Sequence, residues 1–203
     1  FLRTLQTIAG LILFSFGVYL MIQANIGVAP WDALNLGLAN HLPISYGDAS
    51  VAVSITIVIV VLCLREPIGI GTVLDAVLVG KSVDLFTSWN LVPARNSVWE
   101  GILCMLAGIA IDCAAQKVYM SAGLGGGPRD MMLVGIGKRL RKWNIGTVQW
   151  IIYLVVLATG WLLGGPVGLG TLIATFGTGV IMRWVYRLLR FEPRHIRHES
   201  LLD

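Results

Sequence analysis

Long apolar runs separated by short polar breaks dominate this 203-residue sequence. Residues 4–31 contain no Asp, Glu, Lys or Arg, and neither do residues 145–182. Because roughly 20 apolar residues cross a bilayer, the pattern predicts an all-α fold, a multi-span membrane helical bundle. We predict eight helical segments, which cover residues 5–24, 30–42, 48–64, 69–86, 98–120, 128–142, 146–163 and 168–189.

Two of these segments differ from the rest. Segment 30–42 is short, and segment 128–142 is strongly basic in its second half. Each begins at a proline, Pro30 or Pro128, which a helix tolerates at its first position because the N–H there has no partner within the helix. At 1.5 Å per residue the first segment covers under about 20 Å, too little to span a bilayer alone. We therefore predict that each is a short broken helix or half-helix.

The chain carries one pattern twice. Segment 27–32 reads GVAPWD and segment 125–130 reads GGGPRD, with Gly, Pro and Asp at the same spacing and an offset of 98 residues. After one inserted residue the offset becomes 99, and segment 67–72 (PIGIGT) matches segment 166–171 (PVGLGT). Internal symmetry of this kind is typical of transporter folds. It predicts two tandem repeats, each of three long helices and one short helix, which divide the chain into repeat 1 (1–88), a linker (89–97), repeat 2 (98–190) and a cytoplasmic tail (191–203).

Composition excludes several classes of protein. Charged residues make up 13% of the chain and the mean hydropathy is +0.79, whereas soluble domains are about a quarter charged. The net charge of +4 comes mainly from basic residues at helix ends, so it does not indicate nucleic-acid binding. The three cysteines lie in apolar runs without metal-ligand spacing. Since no catalytic motif is present either, we expect no enzyme activity, no metal and no cofactor.

The sequence begins at Phe1, so we expect an initiator or a longer N-terminus before it. The apolar run that follows is too long for a typical signal peptide and carries no evident cleavage site. It is therefore predicted to be the first span.

Two topologies fit the eight segments. If the short segments are re-entrant, each repeat has three spans and the second repeat is inverted; if they cross the bilayer, the two repeats are parallel. The turn at 43–47 lacks Lys and Arg whereas its partner at 138–142 has four, and Arg65 has a neutral partner in 164–166. These opposite charge biases favour inversion, although Trp31 in a deep half-helix would lie away from the interface that Trp prefers.

Both topologies place the two termini in the cytoplasm. The basic residues expected on that side include Arg187, Arg190, Arg194 and Arg197. Only inversion predicts that cysteines placed at Ser45 and Asn144 are labelled from opposite sides of the membrane.

Three motifs together resemble the YczE/YyaS/YitT family of bacterial integral membrane proteins. They are GVAPWD at 27–32, GPRD at 127–130 and GGPVGLGT at 164–171. Any one alone is a weak pattern, but the three in this order are specific. The resemblance covers nearly the whole chain, from the first helix to the eighth. It implies residence in a bacterial inner membrane and the family's fold, and because the family has no established activity it implies no substrate or catalytic residue.

Four aspartates within the predicted helices are candidates for a substrate site. Asp32 and Asp130 are the repeated acids near the starts of the short segments, Asp112 lies well inside the fifth segment, and Asp75 lies in the fourth. Ionisable groups inside spans are costly, which makes each a functional hypothesis. The predicted substrate-binding residues are Asp32, Asp130, Asp112, Asp75, Gly27, Pro30, Gly125, Pro128 and Arg129.

Each acid also has a structural interpretation. Asp32 and Asp130 would bind first-turn amides and complement the helix dipole, and Asp112 would make a satisfied polar contact with another helix. We expect Asp32, Asp130 and Asp112 to approach one central region. A site there would suit a cationic or neutral ligand, or a proton, better than an anion. Lys81 and Asp84, spaced i,i+3, are predicted either to pair with each other or to snorkel toward the helix end.

Helix starts and the basic run have structural predictions as well. Asp48 is the predicted cap of the third helix, and Thr72 and Thr171 are predicted N-caps in the PIGIGT and PVGLGT motifs. The glycines of those motifs are expected to allow close helix packing. The basic run 138–142 is predicted to anchor the chain on the cytoplasmic side.

Two functions fit this sequence. One is a permease, a secondary transporter of an unidentified small solute, supported by the repeat, the helices broken at matching positions and the intramembrane acids. The other is a non-transporting scaffold or accessory protein whose basic loops dock a partner. A polar central cavity lined by both repeats would favour the permease, and a dry, packed centre the scaffold. The expected partners are the lipid bilayer and a small solute, not nucleic acid, and a homo-oligomer stays open.

Overall fold

The computed structural model describes residues 2–140 and 142–189, and every regular element in those ranges is helical. The predicted all-α fold and its eight helical segments are confirmed; the repeat relation between them stays a prediction. The tail 191–203 and Arg190 lie outside the described residues. The helices are α1 (Leu2–Gln23), α2 (Pro30–His41), α3 (Tyr46–Cys63), α4 (Ile70–Ser88), α5 (Val98–Met120), α6 (Pro128–Arg139), α7 (Ile145–Leu162) and α8 (residues 169–188).

Four of the helices, α1, α3, α5 and α7, are long and apolar enough to cross a bilayer. α2 and α6 are short, with 12 residues each, as predicted. α4 has 19 residues and carries Asp75, Lys81 and Asp84. α8 is interrupted by a π-helical turn at Ile173–Gly177, a feature that the sequence pattern did not indicate.

α1 and α5 form the centre of the bundle and run antiparallel. Near one end the Gln6 amide donates to the Val118 carbonyl at 2.9 Å, and near the other the Arg95 N–H donates to the Gln23 carbonyl at 2.9 Å. The two backbones approach closely at Gly17, where a β-carbon would lie 2.8 Å from the Gly108 carbonyl oxygen. Small residues at such a crossing let membrane helices pack backbone to backbone.

The four glycine-rich segments pack crosswise in two pairs. Segment 27–32 lies against 166–171, where the Val28 N–H donates to the Pro166 carbonyl at 3.2 Å. Segment 125–130 lies against 67–72, where the Thr72 hydroxyl donates to the carbonyl of Gly126 at 2.7 Å. Gly27 and Gly125 have φ of 101° and 117°, a region that favours glycine.

Three predicted N-caps are wrong by a few residues. Ser45 caps α3, because its extended backbone lets its hydroxyl accept from the Asp48 N–H at 3.0 Å. Gly69 and Gly168 occupy the cap positions of α4 and α8. Thr72 and Thr171 stand at the third helical position instead and accept hydrogen bonds back from the N–H groups of those glycines. Close packing of the glycines is observed, as in the crosswise pairs.

The predicted ion pair between Lys81 and Asp84 is also wrong. Lys81 pairs with Asp48 of α3 at 2.5 Å. Asp84 accepts hydrogen bonds from the Ser45 hydroxyl at 2.5 Å and the Gly47 N–H at 2.8 Å. Both side chains therefore join α4 to the start of α3, where they lie toward a helix end as expected.

Two further contacts tie loops of one half of the chain to the other half. Glu66, 5% exposed in the α3–α4 turn, accepts a hydrogen bond from Lys138 of α6 at 2.6 Å. At a separate location Asn40 of α2 donates to the Gly164 carbonyl after α7 at 3.0 Å. The first contact gives the basic end of α6 a structural role, because Lys138 there pairs with the buried carboxylate of Glu66. α6 ends at Arg139, before the predicted end at 142, and the Trp143 N–H donates to the Leu140 carbonyl at 2.8 Å.

Candidate functional site: a central acidic cavity

A cavity of about 580 Å³ lies between the two halves of the chain, and all eight helices contribute to its wall. α1 supplies apolar residues such as Phe14 and Val18, whereas α5 supplies Asp112, Gln116 and Tyr119. The broken starts of α2 and α6 bring Pro30 and Pro128 to the wall. The cavity is therefore built where the two short helices begin.

The four predicted aspartates all line this cavity, although they come from four different helices. Asp32 lies on α2, Asp75 on α4, Asp112 on α5 and Asp130 on α6. Arg129, next to Asp130, lines it too. Whether these side chains bind a solute stays a prediction.

Two of the predicted site residues, Gly27 and Gly125, do not line the cavity. A β-carbon on Gly27 would lie 2.5 Å from the Gly168 nitrogen, and one on Gly125 would lie 2.9 Å from the Gly69 α-carbon. Their role is to let the segments before α2 and α6 approach the opposite half. They position Pro30 and Pro128 and make no direct contribution to the wall.

Asp32 is held by a side chain of another helix. Asp32 is only 3% exposed. Its carboxylate accepts a hydrogen bond from the Tyr46 hydroxyl of α3 at 2.8 Å. The structural interpretation predicted backbone amides of the first turn of α2 as its partners. The observed partner is instead a side chain of α3. Arg129 lies over the Trp31 ring, 5.2 Å from its centroid, so the guanidinium of one short helix rests on the aromatic ring of the other.

Asp75 and Asp130 approach each other at the start of α6. A β-carbon on Gly127 would lie 3.1 Å from the Asp75 Oδ2 and 3.7 Å from the Asp130 Oδ2. Because Gly127 has no side chain, the space between the two carboxyl groups is left to the cavity. The sequence singled out both acids but gave no indication that they would be neighbours.

Asp112 has no partner for one of its carboxylate oxygens. Its Oδ1 is shielded from solvent and makes no hydrogen bond within the described part of the chain. The satisfied contact that the structural interpretation expected is therefore incomplete at this atom. A buried acceptor left unpaired is costly, so Asp112 stays a candidate site residue.

Several polar and aromatic wall residues were not predicted as site residues. Tyr46 and Tyr119 were missed because tyrosine in an apolar run is equally typical of packing. On α7 the Gln149 amide donates to the Tyr153 hydroxyl at 3.2 Å, and both line the cavity. Isolated glutamines in long apolar helices were the one sequence signal for this part of the wall.

The four carboxyl groups share one cavity. Within residues 2–140 and 142–189, no group of three or more His, Cys, Asp or Glu is arranged to hold a metal ion. The cavity therefore presents four carboxyl groups, one guanidinium and several aromatic rings to a ligand.

The comparisons with known proteins extend over most of the chain. A family model described as "Family of unknown function (DUF6198)" matches residues 1–187. The chain is 35% identical over 178 residues to the uncharacterized membrane protein YczE of Bacillus subtilis, covering 87% of this chain and 81% of the relative. It is 27% identical over 181 residues to an uncharacterized protein of Haemophilus influenzae, covering 89% and 81%. It is also 27% identical over 179 residues to the uncharacterized B. subtilis protein YyaS, covering 85% and 87%. No solved structure matches the chain.

Proposed function

Because the chain belongs to DUF6198, a family of unknown function with uncharacterized membrane proteins among its relatives, we propose a function from the cavity itself. The protein is a secondary carrier that exchanges a small organic cation for protons across a bacterial inner membrane. The observation that carries the proposal is one cavity of about 580 Å³, bordered by both halves of the chain and lined by four carboxyl groups. Small-molecule sites typically measure about 300–1,000 Å³. A scaffold, by contrast, is expected to have a dry, packed centre.

The charges at the cavity wall favour a cation as the solute. Four carboxyl groups line it against the single guanidinium of Arg129 among the described lining residues. That guanidinium already rests on the Trp31 ring. An organic cation gains from carboxylates and from aromatic faces alike. Besides the Trp31 ring, the aromatic rings at the wall include those of Tyr46, Tyr119, Trp150 and Tyr153.

The same carboxyl groups supply the coupling to protons. Asp112, with its unpaired Oδ1, can be neutral and protonated or ionised and paired with the solute cation. An ionised acid with no counter-charge in a low-dielectric space is costly. Binding of the cation therefore releases the proton, and departure of the cation takes a proton back. Each exchange leaves the net charge of the site unchanged.

The contacts between loops support inverted repeats. α1 and α5 run antiparallel, which is what an odd number of spans per repeat requires. The Glu66–Lys138 pair joins the α3–α4 turn to the basic end of α6, whereas parallel eight-span repeats would place these two loops on opposite sides. We propose that this end and both termini are cytoplasmic. Labelling of cysteines at Ser45 and Asn144 from opposite sides stays the prediction that tests this orientation.

The proposed function is tested by flux through vesicles that contain this chain alone. Quaternary ammonium ions have no neutral form, so they cross lipid only with a carrier. We expect tetramethylammonium or tetraethylammonium to enter proteoliposomes several-fold faster than protein-free vesicles when the interior is acidic. A pH-sensitive dye inside should report protons leaving as the cation enters.

A sulfonate of similar size is the matched control for charge, and it should not be transported. If neither quaternary cation enters, with or without a proton gradient, the carrier proposal is wrong. Entry of the cation without any proton movement would show that the transport is not coupled to protons and that the protein is a uniporter.

A further inference from the structure

One helix pair in each half borders the cavity, and the first of these pairs, α3 with α4, is closed. Gly47 and Gly80 meet through their backbones, since a β-carbon on Gly80 would lie 2.6 Å from the Gly47 carbonyl oxygen. Asp84 reinforces the contact by accepting from the Ser45 hydroxyl and the Gly47 N–H. Asp48 and Lys81 add an ion pair at 2.5 Å beside it. This contact, centred on Gly47 and Gly80, is called the first gate.

The corresponding positions of α7 and α8 are apart. At the offset of 99 residues, Gly47 and Gly80 match Gly146 and Gly179. A β-carbon on Gly179 would meet no atom within 4 Å, and one on Gly146 would meet only Asn144 of its own helix start, at 3.7 Å. α7 makes few close backbone approaches to α8; the Trp150 and Phe176 rings, with centroids 5.2 Å apart, are a contact between them. The space between Gly146 and Gly179 is called the second gate.

The cavity wall reaches into the second gate. The lining residues from α7 and α8 there include Gln149, Tyr153, Thr178, Gly179 and Met182. On α4 no lining residue lies beyond Val79, next to the glycine that closes the first gate. The cavity wall therefore extends along α8 past Gly179 to Met182, whereas on α4 it stops at Val79, before Gly80.

α8 also contains a hinge that α4 lacks. The π-helical turn Ile173–Gly177 matches residues 74–78 of α4, which are regular α-helix. Ala174, Thr175 and Phe176 of this turn line the cavity. π-turns bend helices and occur often at functional sites. Conversion of this turn to regular α-helix would give α8 the backbone form that α4 has.

We infer that the two glycine pairs are alternating gates of one cavity, and that the structure is the form with the first gate closed and the second open. In the other form Gly146 packs on Gly179 while Gly47 separates from Gly80. Packed interfaces switch between discrete arrangements, and helix pairs with matching glycines offer two equivalent ones. In the proposed orientation the open gate faces the cytoplasm, because it lies at the end of α7 that follows the basic run 138–142. The inference rests on the proposed function, since alternation serves a carrier.

Disulfide trapping tests whether the second gate closes. Thr147 and Val180 are the sequence equivalents of the paired Asp48 and Lys81, and both are exposed. With the three native cysteines replaced, T147C/V180C should form a disulfide on oxidation, because closure brings the two β-carbons within bonding range. D48C/K81C is the matched pair at the first gate; because the native side chains there form an ion pair, it should oxidise faster than T147C/V180C in the form observed here.

The trapped protein should then report on the first gate. Spin labels at Pro43 and Ser88, both exposed at the ends of α3 and α4, should move apart when the 147–180 disulfide forms. Failure of that disulfide to form, or an unchanged 43–88 distance once it has formed, would overturn the inference.

Glycine variants provide a second, independent measurement. Gly179→Val meets open space in the observed form, so it should fold normally, but it blocks closure and should suppress 147–180 trapping. Gly80→Val opens the first gate, so the 147–180 disulfide should form faster. If the role of Gly80 were merely structural, the substitution would loosen the packing of α3 on α4 and leave the rate of 147–180 disulfide formation unchanged. Trapping that is unaffected by Gly179→Val would contradict the inference. None of these measurements needs a solute, so the gates and the transport function can fail separately.

Discussion

Replacement of Asp112 by asparagine should abolish proton-driven uptake of quaternary ammonium ions while the protein stays folded. The substitution keeps the shape of the side chain but removes the group that can alternate between a proton and a cation. Because one carboxylate oxygen of Asp112 has no partner within the described chain, no existing hydrogen bond to that atom is lost. Uptake into proteoliposomes should fall to the level of protein-free vesicles, and the proton signal should disappear with it.

The matched control for Asp112 is Glu100→Gln on the same helix. Glu100 is exposed at the start of α5, away from the cavity lining, so uptake should stay at the wild-type rate. Thermal unfolding in detergent should be similar for both variants. Transport by Asp112→Asn at the wild-type rate would show that the acid is structural.

Substitution of Gly27 by alanine should produce a large loss of stability. Its φ of 101° strains any residue with a β-carbon, and that carbon would lie 2.5 Å from the Gly168 nitrogen and 2.9 Å from the Thr171 hydroxyl. Strain and overpacking together should lower the free energy of unfolding by on the order of 2–5 kcal/mol. Gly125→Ala, at the repeat-related position with φ of 117°, should cost a similar amount. Unfolding by a denaturing detergent measures both.

Gly179→Ala is the matched control for these two variants. Gly179 is exposed within α8 and a β-carbon there meets no atom within 4 Å. Alanine favours a helix over glycine by about 1 kcal/mol, so stability should be unchanged or slightly raised. A Gly27→Ala variant as stable as this control would contradict the crosswise packing of the glycine segments.

The helices and the glycine packing could be predicted because they depend on local patterns. Apolar runs longer than a bilayer crossing fix where helices lie, and a proline after glycine marks the starts at Pro30 and Pro128. Repetition of GVAPWD as GGGPRD pointed to two structurally important segments before their contacts were known. The family resemblance, also drawn from these motifs, is confirmed by the match over residues 1–187.

The pairing of polar side chains could not be predicted, because it depends on how each helix is rotated against its neighbours. Lys81 was expected to pair with Asp84 on its own helix, but α3 presents Asp48 to it at 2.5 Å. Asp32 was assigned to its own first turn, yet Tyr46 of α3 donates to it. The predicted cap Asp48 was displaced by Ser45 for a local reason, since serine caps helices as readily as aspartate.

The sequence could not predict that Gly47 packs on Gly80 while Gly146 and Gly179 stay apart. Gly47 and Gly146 match at the offset of the predicted repeats, and repeat symmetry would predict the same packing for both. A structure holds one arrangement at a time, and only coordinates reveal which glycine pair is closed.

Cysteine accessibility at Thr175 tests the central claim most directly, namely that a cation reaches this cavity from each side of the membrane in turn. Thr175 lies in the π-helical turn and lines the cavity. In a protein with the three native cysteines replaced, T175C should react with a trimethylammonium methanethiosulfonate reagent added to either side of sealed vesicles. It should react more slowly with the sulfonate analogue, and tetraethylammonium should protect it. Reaction from one side only, or faster reaction with the sulfonate, would contradict the account.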